Sequence, residues 1–403
     1  MGNAQIKDLA GSKRNRNNIF SFTFLHFIND LHSTSLPAII PMLVNSISLS
    51  MSQAGFLSGL FGITNVFVQP VSGYWADRLN RPWFAVWGPC LSALGICMLP
   101  LSPNYAAALL LVGCTSIGTA LFHPQGTGRA GSAAGIGRLA FFISMFAASG
   151  SLGSAVGPVY VVYMISILGK NRFPATLVPI FLICLYLWKA VGSKEHNDTA
   201  RSEDHGRGIG DFFRNIRSLL GKIGFVMFIA SARDATYQGI KIFLPLLIVL
   251  RGGSIKAGGL YLFAVTIAST VAGIIGGRLA DTYGDKKVLI ASITASPLFL
   301  IAGLNSSGLF SACSLMLGFA FLEASAPVTT AMAQQRCPES RSAASSLAMG
   351  VSWGIANLFA TPVGFLADII GLQITLDIVA FIPFTITAWY FLRLSRRRGS
   401  DSA

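Results

Sequence analysis

The stretch Gly73-Tyr-Trp-Ala-Asp77-Arg78-Leu-Asn80-Arg81 closes a long apolar run, and 204 residues later Gly277-Arg-Leu-Ala-Asp281-Thr-Tyr-Gly284-Asp-Lys286-Lys287 closes another. Gly73 falls on Gly277 and Asp77 on Asp281. The same offset places Asp30 on Asp234, Pro41 on Pro245, Pro158 on Pro362 and Pro179 on Pro383. Gly55 and Gly150 fall on Gly259 and Gly354. Coincidences of Asp and Pro, both scarce in this chain, at one ungapped offset are the mark of an internal duplication.

Working outward, the duplicated unit is a set of apolar segments. Of 403 residues, 53% are hydrophobic and 11% charged, against roughly a quarter charged in a soluble domain. The mean hydropathy is +0.62. Twelve segments are apolar over the roughly 20 residues that a spanning helix needs: approximately 19–44, 53–76, 83–102, 105–126, 139–166, 173–191, 223–250, 257–280, 287–305, 308–332, 343–367 and 372–394. Six followed by six, in one orientation, is a parallel repeat about an axis along the membrane normal. The expected fold is an all-α integral membrane protein, with twelve transmembrane helices in two six-helix pseudo-symmetric halves, 1–191 and 223–403.

The segment between the halves, 192–222, is expected to be a cytoplasmic linker. Ser193 to Gly210 is polar and charged, as in a flexible connection. In the second part Ile209, Phe212, Phe213, Ile216, Leu219 and Leu220 recur at helical spacing with Arg214, Arg217 and Lys222 between them. Two readings stay open for this part: a short helix on the membrane surface, or an ordinary lead into span 7.

The formal charge of +14 would suggest nucleic acid in a soluble protein. Here 24 of the 30 Lys and Arg residues fall on the side that carries both termini. Only Lys170, Arg172, Arg251 and Lys256 lie opposite, and Arg233 and Lys241 fall inside span 7. The surplus is therefore an orientation signal that puts both termini in the cytoplasm, and no nucleic-acid partner is expected. No removable signal is read at the N-terminus, and Ile6 stands where a myristoylation site needs Ser or Thr. The six cysteines form neither a disulfide framework nor a metal spacing. No nucleophile constellation or phosphate loop is present, and His196 and His205 lie in the linker, so neither an enzyme nor a bound metal or cofactor is expected.

The two signature copies resemble the loop 2–3 motif of the major facilitator superfamily, G-x-L-A-D-R-x-G-R-K. Asn80 departs from the pattern in the first copy, as do Thr282 and Asp285 in the second. With twelve spans, the duplication and the central loop, the likeness covers almost the whole chain. It implies that Gly73, Asp77, Arg78, Arg81, Gly277 and Asp281 act in gating, with the two Asp residues helping to stabilise the outward-facing state. Physically, an Asp at a helix end can pair in one conformation and lose its partner in another. The plainer reading is a loop charge that only enforces topology. Span 5 carries Gly150, Gly153, Gly157 and Pro158, small residues that let backbones pack closely. This run resembles the superfamily's antiporter motif, which implies export by exchange.

Charges inside spans are costly, about 2.5–3.5 kcal/mol each on insertion scales, so each is a functional candidate. Span 1 offers His26, Asn29, Asp30, Ser33 and Pro37 on one helix face, with His32 elsewhere. Span 7 offers Arg233, Asp234, Tyr237, Gln238 and Lys241; span 10 offers Glu323, and span 4 ends in Phe122-His123-Pro124. One reading is that acids and cations pair and lock a resting conformation. The other is proton coupling by Asp30, His26, Asp234 and Glu323, with Asn29, His123, Arg233, Tyr237, Gln238 and Lys241 contacting an anionic solute.

The stretch from His26 through Asn29-Asp30 to Pro37 and Pro41 is similar to span 1 of the fosmidomycin-resistance family of exporters. So are Gly118 to Gly126 in span 4, Arg233 with Tyr237, Gly239 and Leu244-Pro245 in span 7, Gln335-x2-Pro338, and Gly364-Phe-Leu-Ala-Asp368. The resemblance implies a bacterial inner-membrane exporter driven by protons and acting on a small molecule, expected to work as a monomer in the lipid bilayer. Glu323 matches no family motif. Two alternatives remain: an uptake symporter or uniporter for an organic anion or sugar-like solute, and a non-transporting scaffold or sensor of the same fold.

Overall fold

Pro37 shapes the first span. Having no N–H, it cannot bond the Ser33 carbonyl, and the apolar run divides into two helices, 20–33 (α1) and Leu36–Ile47 (α2), joined by a turn at Thr34 and Ser35. The structure is a computed structural model and describes residues 20–76, 79, 81–133, 139–191, 209–338, 344 and 347–400. Asp77 and Arg78 of the first signature copy, and the linker over 192–208, lie outside the described residues. Among the described residues there is no strand.

The second span is α3 (Met51–Ile63), a π-helical turn over Thr64–Val68, and α4 (Gln69–Ala76). Then come α5 (Trp83–Met98), α6 (Tyr105–Ala133), α7 (Leu139–Leu168) and α8 (Leu177–Val191). The remaining helices are α9 (Ile209–Leu250), α10 (Ile255–Tyr283), α11 (Asp285–Leu304), α12 (Gly308–Ala324) and α13 (Ala326–Arg336). A second π-helical turn over Leu347–Val351 leads into α14 (Ser352–Ile370), and α15 (Leu372–Ser400) ends the chain. Each of the twelve expected segments overlaps one of these helices or helix pairs. Among the described residues, nine helical stretches are long and apolar enough to cross a membrane. The others are the divided first span, α9 with Arg233, Asp234 and Lys241 along it, and α15, in which Leu372–Ile386 is an apolar stretch.

Residues 209–222 do not form a separate surface helix. They begin a single 42-residue helix, α9, which at 1.5 Å per residue is about 63 Å long. That is about twice the hydrocarbon thickness of a bilayer, about 30 Å, so span 7 carries a helical extension well beyond it.

Two compact units divide the chain, and neither coincides with a sequence half. The first comprises Met1–Leu49, Ile63–Thr199 and Gly252–Phe263; the second comprises Ser50–Gly62, Ala200–Arg251 and Ala264–Ala403. Thus α3 packs with the second unit, and the start of α10 packs with the first. Within the first unit α5 lies along α6. A Cβ on Gly118 would stand 2.6 Å from the Gly88 carbonyl oxygen, so the backbones meet where neither helix has a side chain. The duplicate pair, α11 and α12, packs likewise in the second unit. The core of the first unit gathers Phe22, Leu25, Phe122, Phe146 and Cys184; that of the second gathers Ile223, Val226, Ile293 and Ala333. Large apolar side chains such as Leu110, Ile167, Leu309 and Phe310 stay exposed, as lipid contact requires. All six cysteines are free thiols.

Candidate functional site

In the first unit, α1 and α6 bring His26, Asp30 and His123 together. His26 Nε2 lies 3.3 Å from Asp30 Oδ2, with the two side chains 9% and 14% exposed. His123 Nε2 lies 3.7 Å from Asp30 Oδ1. Asn29 Nδ2 donates to Asp30 Oδ1 at 2.9 Å. The His26–Asp30 contact follows from the i, i+4 spacing on one helix face, the face expected from the sequence. His32 lies elsewhere, edge-on to Tyr160, with Nδ1 on the Ile28 carbonyl.

The other face of His26 fixes its hydrogen. Nδ1 is 2.8 Å from the Phe146 carbonyl oxygen, which can only accept, so Nδ1 carries the hydrogen. Nε2 is then left facing a carboxylate. A bare lone pair against a carboxylate repels; one proton held between His26 Nε2 and Asp30 Oδ2 turns the contact into a charge-assisted hydrogen bond. The imidazole stacks on the Phe146 ring at 4.1 Å between centroids, so it is held in orientation as well as in tautomer. The same three side chains present ligand-type atoms within 4.8 Å of one another, a donor set that a transition-metal ion also accepts.

The glycines of span 5 make room for this cluster. A Cβ on Gly150 would stand 2.4 Å from His26 Nε2 and 2.8 Å from Asp30 Oδ2. One on Gly153 would stand 2.4 Å from the Phe27 carbonyl oxygen, and one on Gly157 2.1 Å from that of Leu31. The three glycines therefore run along α1, and the first of them borders the His–Asp pair itself.

In the second unit the charges of α9 pair with each other. Arg233 Nε and Nη2 both donate to Asp234 Oδ1, at 2.9 and 2.8 Å, and Nη1 donates to the Thr329 hydroxyl at 3.0 Å. Asp234 Oδ2 is buried and has no hydrogen-bond partner among the described residues. Arg233, Asp234 and Lys241 are charged groups near enough to Glu323 to act on it electrostatically, and Glu323 is half-buried. Lys241 Nζ lies 5.2 Å from the centre of the Tyr237 ring, and that ring meets Phe319 edge-on at 5.0 Å. Lys241 is buried and makes no ion pair within 4 Å with a described residue. Gln238 is half-buried beside them.

The signature copies are less tightly packed. Gly73 faces Pro124 at 3.5 Å and Gly277 faces Pro327 at 3.8 Å, both ordinary contacts for an added Cβ. The close approach in the second copy belongs to Gly276, 2.1 Å from the Ala324 carbonyl oxygen. At the corresponding position of the first copy, Ser72 donates to the Ala120 carbonyl at 2.7 Å. Arg81 lies over the Trp188 ring at 5.9 Å. Asp281 is exposed and makes no ion pair within 4 Å with a described residue. Pro158 sits inside α7.

Three participants carry no sign in the sequence pattern: the Phe146 carbonyl, which is backbone; Thr329, one hydroxyl among many; and Gly150 as a neighbour of His26 rather than only a packing residue. His123, expected on the solute, stands beside Asp30 at 3.7 Å.

The sequence model of the Major Facilitator Superfamily matches residues 22–265 and 226–403. The fosmidomycin resistance protein of Escherichia coli (strain K12) is 26% identical over 380 residues, covering 93% of this chain and 92% of that protein. An uncharacterised MFS-type transporter of Bacillus subtilis (strain 168), YfnC, is 26% identical over 365 residues, covering 89% and 88%. Among solved structures, a bacterial homologue of the human lysosomal transporter Spinster, inward-facing and unoccupied, superposes with a TM-score of 0.73 at 17% identity, covering 94% of this chain and 96% of that one.

Proposed function

The chain belongs to the major facilitator superfamily, and from that premise we propose that it exports a small anionic solute across the bacterial inner membrane in exchange for protons. It is a multi-pass membrane transporter and not an enzyme; direction, coupling ion and solute are the parts proposed. The observation that carries proton coupling is the His26–Asp30 contact, in which a committed Nδ1 hydrogen leaves room for one exchangeable proton. A site of this kind needs no cofactor. It takes up a proton when open to the acidic side and gives it up when open to the other. His123, on the second carboxylate oxygen, is placed to receive that proton or to repel its return. In this reading the protein acts as a monomer, and its basic loops support cytoplasmic termini.

The solute is of the class of fosmidomycin, a phosphonate, or of an organic-anion metabolite. The likeness to the E. coli resistance protein over most of both chains supports this. Among the cations of span 7, Arg233 is already committed to Asp234, and Lys241, buried and without an ion pair within 4 Å to a described residue, is the cation assigned to an incoming anion. Tyr237 and Gln238 complete that contact, and the hydroxyl, amide and ammonium are the groups an oxyanion would use.

Inverted membrane vesicles test the reading. With an acid interior, they are expected to accumulate fosmidomycin, another phosphonate or an organic anion from a panel, and a protonophore is expected to abolish the uptake. Accumulation only in right-side-out vesicles would establish the uptake alternative. Lys241→Met is expected to raise KM for the transported anion by about tenfold, the loss of one partly desolvated charge contact, while leaving the thermal midpoint of the purified protein within a few degrees of the parent. An unchanged KM would remove Lys241 from the solute site.

A further inference from the structure

Helix α3 begins with four backbone N–H groups that have no partner inside the helix. Two are met locally. Ser50 N–H donates to Gln53 Oε1 at 3.0 Å, and Gln53 N–H donates to Ser50 Oγ at 3.1 Å, a reciprocal capping box. The other two are met from more than 300 residues away. Met51 N–H donates to Asp368 Oδ1 at 2.7 Å, and Ser52 N–H donates to Asp368 Oδ2 at 2.9 Å. The Ser52 hydroxyl donates to the same oxygen. A carboxylate at this place also meets the positive end of the helix dipole.

The cap closes a crossing of backbones. A Cβ on Gly364 would stand 2.1 Å from the Met51 carbonyl oxygen, and one on Gly55 2.2 Å from that of Ala360. One on Gly62 would stand 2.5 Å from the Gly354 carbonyl oxygen. At the end of this glycine-lined crossing the Asp368 cap ties α3 to α14. The cap is exposed, so water can take over both N–H groups when the helices part.

The duplicate crossing lacks this device. Ser254, at the position of Ser50, caps α10 by accepting from Ala257 N–H at 3.1 Å. Gly259, at the position of Gly55, lies 3.2 Å from the Pro158 carbonyl oxygen. Lys256 stands where Ser52 does, and its ammonium lies 5.1 Å from the Tyr163 ring centre. One crossing carries a carboxylate on a helix end and the other a cation on a ring, so the two are free to differ in how readily they open.

We propose that Asp368 is a positioning residue of the transport cycle: a releasable cap that holds α3 on α14 at the membrane face opposite the termini and favours the conformation closed on that face. This rests on the alternating-access reading above, but its test needs neither solute nor gradient. In a chain whose native cysteines are replaced, Thr361→Cys places a thiol against Gly55 and Gly59 of α3. A membrane-impermeant maleimide is added from outside to intact cells. Asp368→Asn is expected to raise the labelling rate about tenfold, the loss of a charge-assisted, two-point cap. Ser52→Ala, which keeps both backbone bonds, is expected to raise it about threefold, and Asp368→Glu to return it towards the parent. Labelling unchanged in both Asp368→Asn and Ser52→Ala overturns the proposal, and so does a lowered thermal midpoint with unchanged labelling, which would make the cap a static staple. If Asp368→Asn fails to reach the membrane, Ser52→Ala decides alone. A failure here leaves vesicle transport untouched, and a failure of vesicle transport leaves the labelling result standing.

Discussion

Asp30→Asn is expected to reduce proton-driven transport to the leak rate of empty vesicles while solute-for-solute exchange continues. The asymmetry follows from the atoms. The amide nitrogen introduced by the substitution can donate to His26 Nε2 where Asp30 Oδ2 now stands at 3.3 Å, so the hydrogen-bonded arrangement survives as a permanent copy of the protonated pair. Nothing in that copy can be released. The amide oxygen keeps the place of Asp30 Oδ1, which accepts from Asn29 at 2.9 Å, so the local fold is not disturbed. A merely structural Asp30 would behave differently: both modes of transport would fall together, or neither would. The measurement is a pair of assays in proteoliposomes, the pH change inside on adding solute and counterflow of labelled solute with no pH gradient. A solute-dependent pH change equal to that of the parent would remove Asp30 from the coupling site.

Much of this is legible in the sequence alone, for physical reasons. Apolar runs of about 20 residues, a 204-residue offset and a bias in Lys and Arg are all one-dimensional signals; the first carries the helices, and the other two carry the expectations of duplication and orientation. The meeting of His26 with Asp30 is also one-dimensional, being an i, i+4 contact within one helix. What the sequence does not encode locally is which backbone atom a side chain finds. The Phe146 carbonyl that sets the His26 tautomer lies 120 residues away, and a carbonyl has no letter. Residues 209–222 show the same limit from the other side: apolar residues at helical spacing with basic residues between them suit a surface helix and the end of a long span equally, and only the unbroken backbone of α9 separates the two. The exchange of α3 and the start of α10 between compact units has the same cause, because glycines four apart announce close packing without naming the partner.

Arg233→Met is expected to destabilise the protein strongly, and the double variant Arg233→Met, Asp234→Leu to recover most of the loss. Arg233 and Asp234 are 5% and 3% exposed in their side chains. Three of the guanidinium nitrogens are committed, two to Asp234 Oδ1 and one to Thr329. Removing the cation alone leaves a buried carboxylate with one oxygen already without a partner among the described residues and takes a neighbouring cation from Glu323. Breaking a buried pair in this way costs about 3–5 kcal/mol, whereas replacing both partners by apolar groups of similar volume is often close to neutral. For a domain of about 200 residues that is a fall of roughly 10 °C in the thermal midpoint, to be read on detergent-purified protein alongside the double variant. Arg233→Lys should fall between, since a single ammonium cannot reproduce the planar fork. The same experiment separates the two roles that span 7 offers. If Arg233 instead bound the solute, Arg233→Met would leave the midpoint near that of the parent and raise KM, the pattern expected of Lys241→Met. Opposite patterns at two positions eight residues apart on one helix would divide α9 into a part that holds the fold and a part that meets the cargo.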